Sequence, residues 1–343
     1  MTGLLFSVLS VLVGMASLFG VLLALYWLTG RLPARMRESA RVWVFVGPAM
    51  FFLVIGLVAP ALRTIYFSML DDTGKTTRFV FLGNYREIFT FSGTRITVVN
   101  SLTWVVVGTL ATVVIGLAIA RFADGMRGEK TVKSLVFIPG AVSLVGAGII
   151  WRFVYAGPPF KVGLANKVAG AIPGLPESMG GNGTRNWLLE TGFGSVTPQE
   201  SLPGFNTFLL IIIFIWASTG FAVVVFSAAI KGVPEQLIEA ARVDGASQRQ
   251  TFYQIVLPYI RATVVTVATT TTISGLKAFD IVAATTGGNF NTSTIANEFY
   301  RVKFVQGRDG LGSALAVLIF VLVIPVVVIN RRAQRRSEEM MGG

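Results

Sequence analysis

The residues able to do chemistry in this chain are few, and their types restrict what that chemistry is. There is no cysteine and no histidine. That removes disulfides, thiol nucleophiles, thiolate-held metals, and the commonest metal ligand and general base, so neither a catalytic centre nor a metal site is expected. No G-x-x-x-x-G-K-[ST] stretch occurs: the one Gly-Lys pair, Gly74-Lys75, lacks a glycine five places before Gly74. The chain therefore has no phosphate-cradling loop of that kind. What remains is a polar stretch from Lys231 to Pro258 between apolar runs, and a hydroxyl-rich run that ends in Lys277 and Asp280. The first suits docking to another protein, and the second suits contact with a polar solute.

From Lys231 to Pro258 the pattern predicts two short helices. Pro234 suits a first helical position, Glu235 adds negative charge to the first turn, and Gly245 can stop the helix in a left-handed conformation. Ser247 stands three residues before Gln250, the capping-box spacing, and Phe252, Ile255 and Val256 follow as an apolar stripe before Pro258. On the first helix Leu237, Ala240, Ala241 and Asp244 recur at spacings of three and four. Two alanines there let another backbone approach closely, which suits seating in a groove. The plainer reading is an amphipathic hairpin lying on the bilayer, which favours larger apolar residues and more lysine.

The elements that must carry these residues are membrane spans. Of 343 residues 53% are hydrophobic and 13% charged, where soluble domains are about a quarter charged. A helix needs roughly 20 apolar residues to cross a hydrocarbon core of about 30 Å. Runs of that length fall at 4–28, 43–68, 97–120, 133–155, 206–230, 262–283 and 312–330. The expected fold class is an all-α polytopic membrane protein with about seven transmembrane helices: a six-helix core and one additional N-terminal helix in residues 1–30. That first segment has no basic n-region and is followed by arginines, so it reads as an uncleaved anchor rather than a secretory signal.

A net charge of +12 raises the question of a nucleic-acid partner, but the basic residues cluster at the ends of apolar runs and not on a soluble face. No nucleic acid is expected; the lipid bilayer is. Arg31, Arg35, Arg37 and Arg41 share one side, by parity of crossings, with Arg121, Arg127, Lys130 and Lys133, with Lys231, Arg242, Arg249 and Arg261, and with Arg331, Arg332, Arg335 and Arg336. That side holds sixteen basic residues, against ten in the longer opposite loops at about 70–96, 157–205 and 284–310. The positive-inside rule makes it cytoplasmic, with the N-terminus outside and the C-terminus inside. The loop 157–205 is rich in Gly and Pro, which argues against long helices and for an external cap.

The sixth run carries Thr263, Thr266, Thr269, Thr270, Thr271, Thr272 and Ser274 before Lys277 and Asp280. Back-bonding to helix carbonyls accounts for most such threonines. Lys277 and Asp280, three apart, can neutralise each other on one helix face, or Lys277 can reach the outer surface; a direct role in substrate binding is the other reading. Phe214, Trp216 and Phe221 on the fifth run offer rings that could line a solute path, although packing is the commoner use of such residues.

One resemblance is specific. Glu239-Ala240-Ala241, three residues, Gly245, nine residues, Ile255, one residue and Leu257-Pro258 is similar at every position to the E-A-A loop of binding-protein-dependent ABC importer permeases. Asp244-Gly245-Ala246 resembles the carbohydrate branch, and Gly287-Gly288-Asn289-Phe290-Asn291-Thr292 looks like the α-glucoside importers, departing from the more usual T-G-G-G-P. The resemblance implies a permease domain over 31–343 with a coupling loop at 231–261. It also implies a second homologous permease, separate ATPase subunits that use ATP and Mg, and an extracytoplasmic sugar-binding protein, with no cofactor in this chain and a bacterial inner-membrane location. Glu239, Ala240, Ala241, Asp244 and Gly245 would couple to the ATPase, and Thr270, Ser274 and Lys277 fall where sugar permeases place sugar contacts.

The alternative is an ion-coupled secondary transporter, which should show inverted repeats or Gly/Pro-interrupted spans near the midplane; the sequence shows neither. A membrane-anchored enzyme needs a catalytic constellation that this residue inventory does not supply.

Overall fold

The computed structural model describes residues 2–31, 33–71, 78–158, 162–177, 180–190, 192 and 202–341. Gly74-Lys75 and parts of the 157–205 loop lie outside these residues, as do the side chains of Arg35 and Arg336. The chain divides into two compact units, Met1–Tyr66 and Phe67–Gly343. The sequence-based division at residue 30 is one of role; the division by packing falls at Tyr66.

In the first unit, α1 (Thr2–Thr29) is apolar on all sides, which leaves no stripe to bury in a water-soluble core and suits lipid on every face. It turns at Gly30, and α2 (Ala34–Leu53) starts after Pro33. A single π-turn, Val54–Val58, joins α2 to α3 (Ala59–Phe67) without breaking the rod. At the turn Arg41 stacks on the Tyr26 ring at 4.9 Å and Arg31 on Trp27 at 4.2 Å, the amphipathic anchoring expected of a membrane interface.

The second unit begins with a two-residue antiparallel ladder, β1 (Leu70–Asp71) with β2 (Arg78–Phe79), and then α4 (Gly83–Thr90). The third span is α5 (Ser92–Thr103) running through a π-turn into α6 (Thr109–Ala123). The fifth span, α10 (Phe205–Lys231), is the best buried of the candidate spans, and the last is α17 (Asp309–Met341). Among the described residues five helices are long and apolar enough to cross a membrane, and counting each of two bent pairs as one crossing gives seven. The all-α, multi-span architecture expected from hydropathy is the observed one.

Two expected spans are interrupted. The run at 133–155 is two helices, α7 (Glu129–Ala141) and α8 (Leu144–Val154), bent by 99°. Pro139 has no N–H to give to the preceding turn, and Ser143 opens the next helix by accepting the Gly146 N–H on its hydroxyl. The run at 262–283 ends at Leu276 as α14 (Arg261–Leu276); after Lys277, Ala278 and Phe279 a separate short helix follows, α15 (Asp280–Thr285). Interrupted spans were the sequence mark reserved for a secondary transporter, so their presence corrects that expectation and leaves the choice to other features. In the 157–205 loop the only helix among the described residues is the seven-residue α9 (Leu164–Gly170).

Packing is tightest around α10. Trp104, Leu210, Ile213, Phe214, Ile281 and Val282 form one buried cluster. Glycine lets neighbouring backbones close in: a Cβ at Gly220 would lie 2.6 Å from the Val136 carbonyl oxygen and 2.8 Å from the Phe137 Cα.

Candidate functional site

The Lys231–Pro258 loop folds as two helices. Gly232 ends α10, the buried Val233 turns the chain inward, and Pro234 stands at the N-cap rather than the first helical position, so that α11 runs Glu235–Val243. Gly245 adopts φ +81°, and Ala246 returns its N–H to the Ala241 carbonyl at 2.9 Å, a Schellman-type stop. The capping box is complete, with the Gln250 N–H donating to the Ser247 hydroxyl and the Ser247 N–H donating to the Gln250 side-chain oxygen. The second helix is α12 (Gln248–Thr251), a π-turn over Phe252–Val256, and α13 (Leu257–Tyr259). It passes through Pro258 rather than stopping there, the π-turn accommodating the missing N–H. A 67° bend then leads into α14.

The faces of α11 are sharply divided. Leu237, Glu239, Ala240 and Asp244 are exposed, whereas Ala241 is 6% exposed and Ile238 packs against the body. Ala240 and Ala241 therefore do different work: one presents a small outward surface and the other seats the helix. The seat is an apolar cluster in which Val233, Val256 and Ile260 of the loop region meet Ala120 of α6, Ala222, Phe226 and Ile230 of α10, and Val267 of α14. A displacement of the two loop helices is thus mechanically tied to three spans through close-packed side chains.

Beside this loop Glu129, at the start of α7, pairs with Lys133 and, at 2.6 Å, with Lys231 at the end of α10. Lys133 also donates to the Ser227 hydroxyl. In the sequence these lysines are legible only as interface charge. The salt link between α7 and the residue that leads into the loop was not visible, because 102 positions separate the partners, counted from Glu129 to Lys231.

The second candidate region is a groove of about 530 Å³ lined by Ile273 and Lys277 of the α14 end, Phe279, Ala296, Phe299 and Tyr300, and by Ala316, Ile319, Phe320 and Val323 of α17. Here α16 (Ile295–Tyr300) follows the loop after α15. Thr270 and Ser274 of α14 and Lys277 just past its end are all exposed, and of the three only Lys277 lines the groove. Back-bonding is seen at three of the threonines, Thr266, Thr270 and Thr271 donating to the carbonyls of Ala262, Thr266 and Val267, while the Thr272 hydroxyl instead bonds that of Thr109 on α6 at 3.2 Å. The expected Lys277–Asp280 pair is not formed, because α14 has ended before Lys277 and the two residues no longer share a helix face. Of the rings named from sequence, Phe214 is 1% exposed against Trp104, Trp216 is half-buried edge-on to Trp151, and Phe221 is exposed. The rings that accompany Lys277 are instead Phe279 and Tyr300, 5.2 Å apart. Phe279 was within reach of sequence reading, two places after Lys277; Tyr300 arrives from a different element.

The model of the family described as binding-protein-dependent transport system inner membrane component matches residues 16–339. The chain belongs to that family. It is therefore a multi-pass inner-membrane permease subunit, not itself catalytic. Its interrupted spans accordingly do not make it an ion-coupled carrier. The chain is 39% identical over 300 residues to the osmoprotective compounds uptake permease protein GgtC of Synechocystis sp., covering 87% of this chain and 100% of that protein. It is 37% identical over 308 residues to the alpha-glucoside transport system permease protein AglF of Rhizobium meliloti, covering 88% and 85%. A bacterial alginate ABC transporter, solved in complex with its alginate pentasaccharide-bound periplasmic protein, superposes with a TM-score of 0.69 at 20% identity over 89% of this chain and 98% of that one, a likeness of fold.

Proposed function

We propose that this permease takes up an α-glucoside or other oligosaccharide, delivered by an extracytoplasmic binding protein. It would work in a core with a second homologous permease and two ATPase subunits, which alone use ATP and Mg. The observation that carries this reading is the loop at 231–261: two helices with an exposed Glu239–Ala240 surface, seated by one apolar cluster on α6, α10 and α14. A docked ATPase that closes on ATP would move this pair as one piece and the spans with it, biasing the path between two accessible states. The bias of basic residues supports a cytoplasmic position for the loop, with the N-terminus outside and the C-terminus inside. The names of the relatives that align over most of this chain, uptake of osmoprotective compounds and of alpha-glucosides, support the substrate class.

Within this reading Glu239 pairs with a basic group of the ATPase, Ala240 allows close seating, and Asp244 and Gly245 shape the end of the docked helix. Thr270, Ser274 and Lys277 face the passing sugar with the rings of Phe279 and Tyr300, while Phe221 and Trp216 border the path from α10 and Phe214 supports it from the core; Asp280 stands at its outer end. The decisive experiment is purification of the complex by a tag on this chain. Wild type carries the ATPase with it and shows ATP-dependent sugar uptake in vesicles, and Glu239→Arg loses both while the two permeases stay together. ATP-independent transport by this chain alone would overturn the proposal.

A further inference from the structure

Lys277 is the only formally charged residue on the walls of the groove described above, and nothing among the described residues neutralises it. It makes no ion pair and no side-chain hydrogen bond, and no carboxylate is among the lining residues. Asp280, the nearest acidic residue in sequence, opens a different helix beyond the break at Lys277 to Phe279. α14 holds 16 residues, about 24 Å at 1.5 Å per residue, so its final turn and the ammonium that follows stand in the outer half of the membrane. In a hydrocarbon core of about 30 Å that is close to the outer end of the span, where an exposed ammonium stays in contact with water. Around the exposed ammonium the walls are Ile273, Phe279, Phe299, Tyr300 and Phe320, an apolar surface beside which an anion is screened less than in bulk water.

We infer that the transported saccharide carries a carboxylate, and that Lys277 is the residue that selects it. The ammonium takes the carboxylate, and the Phe279 and Tyr300 rings lie against the apolar face of a sugar unit. An aromatic wall alone accepts any glycoside. A bare ammonium beside it adds a charge-assisted bond that only the acidic one can form. This inference rests on the groove being the sugar path.

The test uses the complete importer in proteoliposomes, with binding protein saturated by each sugar. ATP-dependent uptake is compared within matched pairs, maltose with maltobionate and methyl α-glucoside with methyl α-glucuronide. In wild type the acidic member is preferred, in Lys277→Gln the acidic-to-neutral ratio falls about tenfold, and in Lys277→Arg it is kept, as a single charge-assisted bond requires. An unchanged ratio in Lys277→Gln, or a wild type that takes only neutral members, overturns the inference and leaves the sugar importer standing. If Lys277→Gln instead separates the two permeases and lowers both members equally, the ammonium serves a carboxylate of the second permease and the inference is likewise overturned. Absence of ATP-dependent uptake for every saccharide defeats the transport reading itself.

Discussion

Ala246 donates its backbone N–H to the Ala241 carbonyl at 2.9 Å, and this bond closes α11 over Gly245, whose φ is +81°. A Cβ at Gly245 meets no atom within 4 Å, so any penalty for a side chain there is conformational and not a clash. Left-handed geometry costs an L-residue about 1–2 kcal/mol, and asparagine tolerates it best. Gly245→Ala is therefore expected to weaken ATPase association and uptake together, with Gly245→Asn falling between it and wild type. Equal behaviour of all three in co-purification would show that the turn is not needed for docking.

Ala240 and Ala241 are neighbours in sequence with opposite exposure. Ala240→Trp is expected to leave the melting temperature of the permease pair within a degree or so of wild type while abolishing recovery of the ATPase. Ala241→Trp forces a large ring into a buried position and is expected to lower stability by about 1–3 kcal/mol or prevent assembly. The contrast is read by pairing a thermal melt with a pull-down on each variant. Loss of ATPase in neither variant would remove α11 from the docking surface.

The legible parts of this protein were those with local causes. The stop at Gly245 and the Ser247–Gln250 box depend on residues a few positions apart, and both formed as spacing required. The spans followed from apolar length alone. What failed was also local but competed with length: Pro139 and Ser143 break an apolar run that hydropathy reads as continuous, and the ending of α14 at Leu276 removes the helix on which a Lys277–Asp280 pair was expected. The inward turn of Ala241 and the Tyr300 ring beside Lys277 depend on contacts between distant segments, and helical spacing carries no information about which flank of a helix meets the body.

Gly220 lies where α10 crosses α7, with the Val136 carbonyl oxygen and the Phe137 Cα within 2.8 Å of a would-be Cβ. Both are backbone atoms and cannot rotate away, so Gly220→Ala must separate two helices. A loss of about 1–3 kcal/mol is expected, seen as a lower melting temperature of the detergent-purified complex. Val224→Ala, on the exposed side of the same helix, serves as the control. A Gly220→Ala complex as stable as wild type would mean that α7 and α10 are not held this close.

The segment after α15 is held in an unfavourable backbone by buried polar side chains of α5 and α10. Gly287, Gly288, Phe290 and Asn291 all have positive φ, and for Phe290, at +55°, this is costly. Asn100, fully buried on α5, donates its amide to the Asn291 and Ser293 carbonyls at 2.6 and 2.9 Å, while the neighbouring Ser101 hydroxyl accepts the Ile295 N–H at 2.8 Å. Asn100→Ala leaves two carbonyls without their donor, a penalty of about 1–3 kcal/mol that falls on a segment already under strain. Release of the segment should therefore precede any global loss of fold. Hydrogen exchange is expected to quicken over residues 287–294 in Asn100→Ala, with protection along α10 unchanged, and Asn206→Ala, which removes a donor from the Phe290 carbonyl, should give a similar pattern centred on Phe290. Uniform loss of protection in both variants would instead assign these asparagines to general stability and not to the shape of this loop.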